Sequence, residues 1–331
     1  MRHELGENRW HLFNWELLAC AVSVFVLLYG LLIISDPFDT GRLGILQKGG
    51  TTSQGPRLAN VSRGRDSAFD AAIIGNSHVQ LLSPSELDKN TELRFVSLVV
   101  PATLAREQLV ILKYFVRHRR KAARAIVIGI DTNWCTDNPN LPAYRPFPFW
   151  LYDESFWTYM GGLLRLEALE RLPSRLAHVL GLRVRLARRD GYWDYEPDYL
   201  AVGYGSEEAR RRLHEGRSFF PRYHSGNFPA ATRLREALNG LSPSTQIILV
   251  RPPVVATALP APGSQEEEVS RACGRVFQAI AEERPRGVLL DWFRRRPEVS
   301  EKSNFLDHSH YRARMARLIE HEIVQALGQQ H

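Results

Sequence analysis

The sequence predicts an α/β protein: a five-stranded parallel sheet whose strands alternate with covering helices, carried behind one N-terminal membrane span. Three observations predict it. From about residue 67, five short apolar runs alternate with stretches of helical periodicity. A long aromatic- and Pro-rich segment, about 134–228, interrupts that rhythm between the third and fourth runs. Ahead of all this lie eighteen residues without a charge, 17–34.

That uncharged stretch, "LLACAVSVFVLLYGLLII", is long enough to span a bilayer core, with Phe13 and Trp15 at the interface. A cleavable signal peptide has a shorter apolar region and a small-x-small cleavage site. "IISDPFDTG" offers none, so residues 1–35 read as an uncleaved leader and anchor. Arg2 and Arg9 favour a cytoplasmic leader. The main domain is then expected across a cell inner membrane, in the periplasm. Residues 36–66, rich in Gly, Ser, Thr and Arg, read as a flexible stalk, and 67–331 as the main domain.

The first strand is "AFDAAIIG" (68–75). Ser83, Pro84 and Glu86 then read as N-cap, first helical residue and capping-box acid. "LRFVSLVV" (93–100) is the second strand, stopped by Pro101; 103–120 has helical spacing; "ARAIVIGID" (123–131) is the third strand. The insertion holds an amphipathic stretch near 153–181 and then "GYWDYEPDYLAVGYG". It is expected to form a lid or wall beside a site, or plain structural cover. Beyond it come a helix (228–241), a strand (245–253), a helix with an acidic first turn (264–283), a strand (286–293) and a closing helix (307–327). Such alternation implies a parallel sheet covered on both faces.

The 331 residues carry a formal charge of +7, and Arg greatly outnumbers Lys. The basic runs are scattered over several segments instead of gathered on one module, which argues against a nucleic-acid binder. They read as solvated helix faces, with an anionic glycan or lipid surface as the alternative partner. Cys20 lies in the apolar span, whereas Cys135 and Cys273 are either a disulfide or two unrelated buried thiols. No Cys/His metal spacing and no glycine-rich phosphate loop occurs, so no metal or cofactor is expected.

In open α/β sheets, sites gather beyond the carboxyl ends of strands. Gly75-Asn76-Ser77-His78 follows the first strand, Asp131-Thr132-Asn133 the third, Arg251 the fourth, and "NFLDHSHYR" (304–312) the fifth. A nucleophilic serine needs a base, and the base an orienting acid. Ser77 is the candidate nucleophile. Asp307 and His310, three apart at a helix start, share a face, so Asp307 can orient one ring nitrogen while the other meets Ser77. His308 ranks second as base. Asp307 is equally an N-cap candidate. His78 diverges from Ser77 and is expected to line the wall. Arg251 can hold an anionic or carbonyl group, or cap the sheet edge. Trp134, Phe147, Phe149, Trp150 and Trp157 can stack on sugars or pack the insertion.

These residues resemble the SGNH (GDSL-like) hydrolase superfamily over roughly residues 67–330. Gly75-Asn76-Ser77 matches its first block, and Asp307 to His310 its closing Asp-x-x-His. The anchored layout is similar to extracytoplasmic members that modify cell-surface polysaccharides, as in alginate O-acetylation and teichoic-acid D-alanylation. The resemblance implies a flavodoxin-like three-layer α/β/α fold and serine esterase or acyltransferase chemistry on an acyl ester. It also implies a polysaccharide partner, with an envelope complex or an inactive scaffold as alternatives. It further implies an oxyanion hole from the serine N–H, a second-block glycine N–H and a third-block asparagine. Here no glycine stands in the second block, where the N–H of Ala102 or Thr103 can substitute. Asp131 takes the asparagine's place, where a carboxylate would repel an oxyanion, so Asn133 is the better donor candidate.

Overall fold

The computed structural model describes residues 2–42, 45, 48–53, 55–182, 184–216 and 226–328. The chain forms two compact units, one of 1–54 with 153–187, the other of 55–152 with 188–331.

In the first unit, residues Arg2–Ser35 form one helix, and its segment Trp10–Ser35 is long and apolar enough to cross a membrane. The described part of 36–53 is not a free stalk. Asp36 accepts from the Thr40 hydroxyl, the Gly41 N–H and the Tyr159 hydroxyl. Buried Arg175 donates to the carbonyls of Ser35, Lys48 and Gly50 and pairs with Asp39. These partners come from the insertion, whose helix Leu166–Val179 packs on the N-terminal helix. Polar composition suggested a linker, but buried polar groups supplied from 153–187 fix the segment instead. Residues Pro56–Arg65 form a helix in the second unit with Leu58, Ala59 and Val61 buried.

The second unit holds a five-stranded, all-parallel sheet: β1 (Ala71–Ile74), β2 (Phe95–Ser97), β3 (Ala125–Gly129), β4 (Gln246–Arg251) and β5 (Gly287–Asp291). Every expected strand is present. β1 to β4 are buried throughout, which their continuous apolar runs require; β5, at an edge, is half-buried. The order is β2-β1-β3-β4-β5. Strands therefore leave β1 in both directions, which puts the reversal point, where open α/β sheets bind ligands, at the carboxyl ends of β1 and β3.

Two local readings change. The closing helix runs Ala313–Gly328, not from 307. Residues 305–312 form a loop closed by a bridge between Phe305 and Tyr311, and Glu196 takes the Ala313 N–H at 2.9 Å. Ser83 does precede the helix Pro84–Lys89, but its side chain makes no cap bond. Its N–H goes to Glu320 at 2.6 Å, while Glu86 pairs with Lys89.

Cys135 and Cys273 are joined in a disulfide, tying the turn after β3 to the helix Gln265–Glu282 across 138 residues of sequence. A closed loop of that length restricts the unfolded chain by up to about 5 kcal/mol. Replacing both cysteines with serine is expected to lower unfolding stability by about 2–5 kcal/mol. An unchanged denaturant midpoint would contradict this.

Candidate active site

β1 ends at Ile74, and after Gly75 and Asn76 the chain turns into a short 3₁₀ helix, Ser77–Val79. The turn fits because a glycine, Gly75, follows β1 and another, Gly129, ends β3. A Cβ at Gly75 would meet Val79 Cγ2 at 2.4 Å, and one at Gly129 would meet the same side chain at 2.8 Å. Asn76 pins the turn: its Oδ1 accepts the His78 N–H at 3.1 Å, and its Nδ2 donates to Asp131 at 2.6 Å and to the Thr103 carbonyl at 3.3 Å.

Ser77 is half-buried, and its Oγ lies 3.0 Å from His310 Nε2. His310 Nδ1 lies 2.8 and 3.0 Å from the two oxygens of Asp307. A carboxylate only accepts, so Nδ1 carries the hydrogen and Nε2 is left to accept from the serine hydroxyl. Asp307 is not a helix N-cap. Its Oδ1 gathers the N–H groups of Ser309 and His310, each at 2.8 Å, and so folds the turn that aims the ring. One carboxylate thus shapes the backbone and holds the imidazole. Burial works against its ionisation, but the bonds from His310 and the two N–H groups outweigh it and lower the Asp307 pKa to about 2. Its contribution to folding is present above the unfolded value of 3.8 and is lost as pH falls through about 2. His308 is not placed as a base: its Nε2 donates to the Glu215 carbonyl at 2.9 Å.

Asp131 is the buried hub beside this array. It accepts from Asn76 Nδ2, from the Asn133 N–H at 3.0 Å and Nδ2 at 2.9 Å, and it pairs with His78 Nδ1 at 3.2 Å. Burial pushes its carboxyl up, but the bonds from His78, Asn76 and Asn133 outweigh this and hold it below the ordinary value. Asp131 is thus spent on orienting its neighbours. One amide hydrogen of Asn133 remains free, and the Ser77 N–H meets no acceptor among the described residues. His78 stands at the site, its ring centroid 5.4 Å from that of His310.

Thr103 is buried. Its carbonyl receives Asn76 and Gln108, which brings its main chain next to the turn. Before it, Ala102 adopts a φ of 59°, a left-handed conformation that costs an L-residue about 1–2 kcal/mol. Ala102→Gly is therefore expected to raise stability by about 0.5–1 kcal/mol after the entropy of glycine is counted. A fall in melting temperature would refute it.

Two candidates lie elsewhere. Arg251 is buried and paired with Asp291 at 2.7 Å and with Ser270 at 3.1 Å, so it holds the β4–β5 edge and not a ligand of Ser77. Trp134 is fully buried, donates to Gln108 at 3.1 Å and packs edge-on against Phe277. Trp150 is likewise buried, and Phe147 and Phe149 pack against one another.

Aromatics do surround His310, but they come from the later part of the insertion. Tyr199 and Tyr195 place ring centroids 5.2 and 5.6 Å from it. Tyr195 donates to the Tyr311 carbonyl at 2.8 Å, and Glu196 binds Arg312, which clamps this segment to the loop that carries Asp307 and His310. Burial and the Asp307 charge push the Tyr199 phenol up to about 12, so it stays neutral. Beyond the tyrosines a cleft of about 760 Å³, lined by Tyr204, Arg212, Asp307 and His310 among others, opens to solvent. The sequence signal was the run "GYWDYEPDYLAVGYG", whose helical piece turns Tyr195 and Tyr199 to one side.

No protein-family model matches this sequence, and no curated protein matches it.

Proposed function

We propose that the chain is a membrane-anchored, extracytoplasmic serine esterase or O-acyltransferase of the SGNH (GDSL-like) kind, acting on an acyl ester of a cell-surface polysaccharide. The observation that carries it is the continuous chain Ser77 Oγ–His310 Nε2 and His310 Nδ1–Asp307, at 3.0 and 2.8 Å. The strand order β2-β1-β3-β4-β5 is that of flavodoxin-like three-layer folds, and Ser77 stands at the reversal point where such folds bind ligands. Ala102 occupies the second-block place in a conformation glycine takes freely. The disulfide and the N-terminal apolar helix support a domain in the periplasm, outside the inner membrane.

In this mechanism Ser77 Oγ attacks the acyl carbonyl while His310 Nε2 takes its proton. The Ser77 N–H and the free amide hydrogen of Asn133 hold the oxyanion. Collapse expels the alcohol, which leaves with the proton from His310, and an acyl-Ser77 ester remains. Water or a glycan hydroxyl then attacks that ester, His310 again taking the proton. Collapse releases the acid or the new ester and returns the proton to Ser77. A fluorophosphonate probe tests the reading: labelling is expected in the wild type and absent in Ser77→Ala.

The second reading, an inactive glycan-binding scaffold of an envelope complex, draws on Asp131 at the third-block asparagine place. It predicts no labelling together with retained glycan binding.

A further inference from the structure

A second cleft, of about 530 Å³, lies between the helix Gln265–Glu282 and the segment following β5. It shares no lining residue with the Ser77 array. Five arginines and two carboxylates line it: Arg251, Arg271, Arg275, Arg294 and Arg295 against Glu267 and Asp291. The two carboxylates are spoken for, Asp291 by Arg251 at 2.7 Å and Glu267 by Arg271 at 3.1 Å. Arg295 spends one nitrogen on the Pro260 carbonyl at 3.1 Å. Arg275 and Arg294 meet no acceptor among the described residues. Three guanidinium groups with open donors, from two chain segments, therefore face one cavity with no negative charge left to answer them.

Like charges gathered this way repel unless an anion joins them. Guanidinium forks match carboxylate and phosphate groups in bidentate geometry. The cleft is not wholly polar: Leu259, Leu289 and Phe293 supply apolar surface, which suits a carbon skeleton and not a bare ion. Its volume falls in the usual range of small-molecule sites, about 300–1,000 Å³. We infer that this cleft binds an acidic sugar unit, its carboxylate or phosphate held by Arg275, Arg294 and Arg295 and its ring resting on Leu259 and Phe293. This site stands independently of the chemistry at Ser77.

The test is calorimetric titration of the full chain in detergent with glucuronic acid, glucose 6-phosphate, glucose and inorganic phosphate. At least one acidic sugar is expected to bind saturably, at least about tenfold tighter than both glucose and inorganic phosphate, and more weakly as salt rises. Arg275→Gln/Arg294→Gln is expected to weaken that binding about tenfold or more, with an unchanged melting temperature because both side chains are exposed. Ser77→Ala is expected to bind as the wild type does, which separates this site from the esterase reading. Equal binding by wild type and the double variant would overturn the inference, as would the absence of saturation below about 10 mM. Inorganic phosphate binding as tightly as glucose 6-phosphate, with no binding of glucuronic acid, would overturn the assignment to a sugar.

Discussion

Ser77→Ala is expected to lower turnover of a model acetate ester by about 10⁴-fold or more, with little change in stability. Among the described residues the hydroxyl bonds only to His310, and the residue is half-buried at a turn built by Asn76, Gly75 and Val79. Removing it leaves the turn intact and takes away the attacking atom. His310→Ala is expected to cost about as much, and the double variant no more than either single change, because the groups act as one unit. Acetate release measured beside melting curves checks this. Equal turnover by wild type and Ser77→Ala would remove the serine from the chemistry, and additive losses would break the unit.

The second large effect belongs to Asp131. Asp131→Asn keeps the shape but replaces an acceptor-only group by one that also donates. Four donor contacts converge on this side chain, from Asn76, His78 and two atoms of Asn133. A carboxamide cannot accept them all, so stability is expected to fall by about 2–4 kcal/mol. Turnover of the folded fraction is expected to fall about 10²–10³-fold, mostly in kcat, because Asn133 loses its orientation toward the oxyanion. The opposite result is informative. If Asp131→Asn raised turnover, the carboxylate would be a repelling neighbour of the oxyanion, and its role as organiser would be lost.

The five strands were readable because each is a short apolar run bounded by glycine, proline or charge, and a sheet buried on both faces needs such runs. That Ser77, His310 and Asp307 meet was readable in part: Ser77 lies just past the carboxyl end of β1, and Asp307 and His310 lie on the path from β5 to the closing helix. The logic attached to Asp307 was not. A three-residue spacing suggested a helical face, whereas the carboxylate itself folds a turn by collecting two N–H groups. The partners of Asp131 were not readable, because Asn76 and His78 lie some fifty residues away in sequence. Arg251 needed the register: only the pairing of Arg251 with Asp291 on the next strand shows its charge already answered. The stalk failed because composition does not reveal that Arg175 and Tyr159 are buried against it. Aromatic content flagged the insertion, but which rings reach His310 depends on how residues 188–216 fold back.

The covalent tie between Cys135 and Cys273 bears on more than folding stability. Cys135 stands two residues beyond Asn133, in the same short turn Thr132–Cys135. The bond therefore fastens the amide proposed as an oxyanion donor to a helix on another part of the sheet. A copy of the chain kept in a reducing compartment would carry Ser77, His310 and Asp307 but lack that fastening. If the chain has the proposed function, passage into an oxidising space would act as a licence, tying the onset of its chemistry to the thiol state of its surroundings.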